Sequence, residues 1–72
     1  MKADINYKGV VYKNVELASI KEFVVSFRIY TNQHNHNEYV EQLISDGADV
    51  DFYNEYAFVV VSRNDVSEII WL

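Results

Sequence analysis

The chain has 72 residues, half of them hydrophobic and 15% aromatic, which excludes disorder and fits one small domain, residues 1–72. It contains no cysteine, so disulfide and thiolate-metal staples are excluded, and its formal charge of −5 argues against direct contact with nucleic acid. No apolar run approaches the roughly 20 residues that span a membrane. Met1-Lys2-Ala3-Asp4 leads into strand-like alternation in place of an apolar signal core, so the expected location is cytoplasmic.

In chain order, Ile5-Asn6-Tyr7 and Val10-Val11-Tyr12 flank Lys8-Gly9, the pattern of a two-residue hairpin. The second strand is expected to run on through Ile20. Leu17, Ile20 and Val24 also recur at helical spacing, so a helix over residues 14–22 is the rival reading. From Phe23 to Tyr30 the odd positions Phe23, Val25, Phe27 and Ile29 form an apolar face, which predicts a half-buried strand.

Thr31 to Asn37 is a polar connection. Asn37 is placed to N-cap a short helix with Tyr39, Val40, Leu43 and Ile44 as its buried stripe, and Gly47 to stop it. Ala48, Val50 and Phe52 alternate with Asp49 and Asp51 in a short strand. Tyr53-Asn54-Glu55 then turns the chain into Tyr56–Ser62, the most apolar strand and the expected centre of the sheet. After Arg63-Asn64-Asp65 a last strand runs from Val66 to Leu72. The sum is an α+β fold, β-β-β-α-β-β-β, with one helix on a mainly antiparallel sheet of five to six short strands. The alternative is a small SH3-like β-barrel with a helical insertion.

Catalysis is not expected: no glycine-framed nucleophile or helical histidine pair occurs, and two isolated glycines cannot cradle a phosphate. No cofactor is expected either. His34 and His36 could bind Zn²⁺ or Ni²⁺ with Glu38 as a third ligand, although a solvated polar loop accounts for both histidines. The aromatic residues, Trp71 included, read as core or interface, since a stacking platform for single strands needs a basic groove beside it.

The charge map is the most informative feature. Residues 1–28 carry +2, residues 29–62 carry −6 without a single Lys or Arg, and residues 63–72 carry −1. The six acids are Glu38, Glu41, Asp46, Asp49, Asp51 and Glu55, and patterning turns most of them outward. Like charges so grouped serve solubility or dock on a basic partner. In size and charge the chain resembles the small DNA-mimic inhibitors that phages use, a resemblance of type that rests on no motif. It implies a non-enzymatic module binding a basic, nucleic-acid-handling protein. The rival role is structural: a homodimer joined through the apolar C-terminal strand, with Ile69, Trp71 and Leu72 at the interface.

Overall fold

The computed structural model describes residues 1–31 and 37–72. Among them are six strands, β1 (Lys2–Tyr7), β2 (Val10–Ile20), β3 (Val24–Tyr30), β4 (Asp49–Phe52), β5 (Tyr56–Ser62) and β6 (Val66–Trp71). One helix, α1 (Glu38–Ser45), lies between β3 and β4, so the order is the expected β-β-β-α-β-β-β. A 3₁₀ turn, η1 (Arg63–Asp65), joins β5 to β6. All pairings are antiparallel, in the spatial order β4-β5-β3-β2-β1-β6. The sheet curls enough for Ile20, late in β2, to line one depression with Ser67, Glu68 and Trp71. Among the described residues it nevertheless keeps two open edges, β4 and β6.

The β1–β2 hairpin turns on Lys8 and Gly9, both at positive φ (50° and 83°), as a primed turn requires. β2 is one long strand, and two irregularities shape it. Ala3 pairs with Val15 and Ile5 with Tyr12, so Lys13 and Asn14 bulge out opposite Asp4. Asn14 adopts φ 57°, and its amide donates to Asp4 Oδ1 at 2.8 Å. The ladder with β3 slips again between Leu17 and Ser19. Such bulges sharpen the twist of a strand and bend it.

Helix α1 begins as its sequence dictates. The Asn37 side chain accepts from the Tyr39 amide at 2.8 Å. Replacing Asn37 with alanine should therefore cost about 1 kcal/mol, read as a lowered denaturation midpoint. At the other end Gly47 takes φ 88°, its amide bonds to Ile44 O, and that of Ala48 bonds to Leu43 O. This pair of bonds is the Schellman closure.

One sheet face forms the core. Ile5, Tyr12, Val15, Val25, Phe27, Ala57 and Val59 are buried there beneath Val40 and Leu43 of α1. Two sequence expectations are corrected. Phe23 lies in the β2–β3 turn and is 73% exposed, because that turn lifts it off the strand. Ile44 is 50% exposed, since α1 is only eight residues long and buries Val40 and Leu43 alone. β5 is an inner strand, but it lies next to the β4 edge. No helix among the described residues is long and apolar enough to cross a membrane.

Candidate functional site

Five of the six acidic residues, Glu38, Glu41, Asp49, Asp51 and Glu55, are exposed, and Asp46 is half-buried. They do not share one face. Val50 packs against the core on the side covered by α1, so strand alternation sends Asp49 and Asp51 to the opposite, outer face. Glu38 and Glu41 project from the solvent side of α1, and Glu55 lies in the β4–β5 turn. Asp46 does structural work at the helix terminus. Its backbone carbonyl accepts from Tyr7 Oη at 3.1 Å and Lys8 Nζ at 2.8 Å, and its carboxylate from Gln42 at 3.0 Å. The hairpin thus brings a lysine into a segment that has none of its own.

The outer face of the sheet reads as a row of paired charges running into an aromatic patch. At the β1 end, Glu16 takes the amino-terminal ammonium of Met1, with Lys2 at 3.9 Å. The hydrogen bond from that ammonium holds the Glu16 carboxyl below the usual carboxylate range, and Lys2 and Arg28 add to the effect. Arg28 is cross-strand from Glu16 on one side and Phe58 on the other. Its guanidinium lies 5.7 Å from the Tyr56 ring centre. Tyr56 in turn stacks on Tyr53, centroids 4.8 Å apart and planes inclined by 18°, and meets Tyr30 at 6.1 Å.

Beyond this patch lies β4, where Asp51 pairs with Phe58 and Asp49 with Val60. Neither carboxylate has an ion-pair partner among the described residues, whereas Asp4 and Glu16 both do. Two residues along a strand are about 7 Å apart. Asp49 and Asp51 therefore present two separate charges beside a partly exposed aromatic surface.

Sequence reasoning found the two aspartates by their alternation but missed the patch beside them. The signal was present in Tyr56–Ser62: Tyr56, Phe58 and Val60 are apolar on the face opposite Ala57, Val59 and Val61. A strand apolar on both faces is expected to be covered on both, and here α1 covers only one.

Of the proposed interface residues, Trp71 and Leu72 are 51% and 66% exposed, and Ile69 is half-buried against the core. His34 and His36 lie outside the described residues. Glu38, their suggested third ligand, is exposed in the first turn of α1. Among the described residues no group of three His, Cys, Asp or Glu side chains is placed to hold a metal ion. The chain matches no protein-family model, and neither a curated protein nor a solved structure is significantly similar to it.

Proposed function

We propose that this chain is a non-enzymatic protein-binding module that presents carboxylates to a basic protein surface. The observation that carries the reading is the outer face of β4, where Asp49 and Asp51 stand exposed, without an ion-pair partner among the described residues, beside Phe58, Tyr56 and Tyr53. Carboxylates steer a basic partner into encounter, and neighbouring aromatic rings supply the apolar contact that holds it. Glu55 in the adjoining turn extends the surface. Glu38 and Glu41, on the far side of the core, contribute to the long-range field. Nucleic-acid-handling proteins carry the most basic surfaces, so a cytoplasmic inhibitor that occupies such a groove as a nucleic-acid mimic is the most concrete form.

The test is a pull-down from lysate with the tagged chain at low and moderate salt, retained proteins being identified by mass spectrometry. A specific basic protein should be retained, with affinity falling about tenfold or more as salt rises. The double change Asp49→Lys/Asp51→Lys should release it while the far-ultraviolet circular dichroism stays unchanged. Retention that survives both salt and charge reversal would overturn the reading.

A further inference from the structure

The two open edges of the sheet differ in kind. β4 is four residues long and carries Asp49 and Asp51, so pairing it with a second β4 would bring carboxylates together. Short length and charge are how edge strands are kept from pairing. β6 has neither protection. It runs for six residues, and its regular part contains Ile69, Ile70 and Trp71 with Glu68 as the one charged residue.

Its backbone is also available. The Leu72 amide donates to Lys2 O at 3.0 Å, and Ile70 is the residue opposite Asp4. In an antiparallel ladder alternate residues face the same neighbour, so Ile70 and Leu72 bond to β1. Ile69 and Trp71 turn their amides and carbonyls to the free edge. Such unpaired groups are a template for another strand.

We propose that this edge is filled by the β6 strand of a second copy of the chain, in a two-fold dimer centred on Ile70. Past the slip of the β1–β6 ladder between Asn6 and Tyr7, Ile69 and Trp71 are the β6 residues whose backbone faces outward, with Ile70 midway between them. Centring the axis there pairs Ile69 with Trp71 of the second copy through outward-facing groups, in both directions. The two Ile70 side chains then meet on the outer face. Glu68 lies opposite Leu72, away from the other Glu68, so the register creates no like-charge side-chain pair.

The β6 edge carries exposed apolar side chains on both faces. A standard interface takes about 800 Å² from each partner, about a sixth of the 4657 Å² surface of this chain. Met1, Ile20, Phe23, Ile70, Trp71 and Leu72 are each between 43% and 75% exposed. Trp71 and Ile20 tie the inner-face residues together, since both line two depressions of about 280 and 300 Å³, the second shared with Met1, while Ile70 and Leu72 lie on the outer face of the same strand. A two-fold axis uses this patch on both copies at once.

Native mass spectrometry, with fluorescence of the single tryptophan across a concentration series, tests the proposal. The expected result is a dimer at micromolar concentration, its appearance tracked by a blue shift of Trp71 emission. Ile70→Lys sets two ammonium groups against each other at the axis. Trp71→Pro removes an outward amide that β1 does not use. Each should raise the dimer dissociation constant at least about tenfold while circular dichroism stays native. A wild-type chain that stays monomeric, its edge then being free for a strand of another protein, would overturn the proposal. A dimer with unshifted Trp71 emission would also overturn it. Both results come from the wild-type chain and need neither variant to fold.

Discussion

Phe27→Ala should remove about half of the stability of the protein. Phe27 is fully buried on β3, the strand held between β2 and β5, with Leu17 and Val59 directly opposite it on the core face. Truncating such a ring removes its transfer energy and opens a cavity, together costing about 3–5 kcal/mol. A chain of 72 residues has a total stability of roughly 4–11 kcal/mol at 0.05–0.15 kcal/mol per residue. The loss is therefore about half of the total at mid-range and nearly all of it at the lower end. The informative comparison is Phe58→Ala, one strand away on the outer face, where the same ring is only half-buried. Urea denaturation of the two variants should show Phe58→Ala costing less than half as much. Equal losses would mean that the outer face is covered as fully as the core, and the interaction surface on it would then be lost.

The same two faces explain what could be read from the sequence and what could not. Phe27, Val25 and Ile29 were legible because apolar and polar residues alternate from Val25 to Ile29 in β3. The helix was legible because Asn37 and Gly47 mark its ends by local bonds that need no tertiary context. β2 was ambiguous for a physical reason. Its first bulge makes Tyr12 and Val15, three residues apart, point the same way. Its second puts Leu17 and Ile20 on one face at the same spacing. Three-residue recurrence is the helical signal, and a doubly bulged strand reproduces it.

The acidic segment was legible as a count and as outward-facing positions. Its division between two faces was not. That division depends on which side of β4 the helix lands, and nothing within residues 38–55 encodes it. The side is set by Val40 and Leu43 joining one buried cluster with Tyr12 and Val59, and by Tyr39 meeting Tyr12 edge-on, all between distant parts of the chain. The unprotected state of β6 is likewise a property of strand order: the last strand returns beside the first and remains an edge.

Raising the pH from 10 to 12 should destabilise the protein through Tyr12. This residue is fully buried, edge-on to Tyr39 with ring centroids 5.0 Å apart, and its hydroxyl has no hydrogen-bond partner among the described residues. Burial, and secondarily the negative charge of Asp46 with smaller contributions from Tyr7 and Tyr39, pushes its pKa up to about 12. The unfolded chain releases this proton near pH 10, the ordinary value for tyrosine. The folded state therefore holds the proton more tightly. Its contribution is fully present below pH 10 and is lost as the pH climbs through the folded value. At about 1.4 kcal/mol per unit, the loss across the window is about 2–3 kcal/mol. Tyr12→Phe should remove this term. At neutral pH the variant should be as stable as the wild type or slightly more so, because it deletes a hydroxyl buried without a partner. Above pH 10 the difference between the two denaturation midpoints should widen steadily in favour of the variant. Midpoints that fall in parallel would mean that Tyr12 ionises in the folded state as readily as in the unfolded chain. The hydroxyl would then be open to water and the Tyr12–Tyr39 contact beneath α1 only loosely closed.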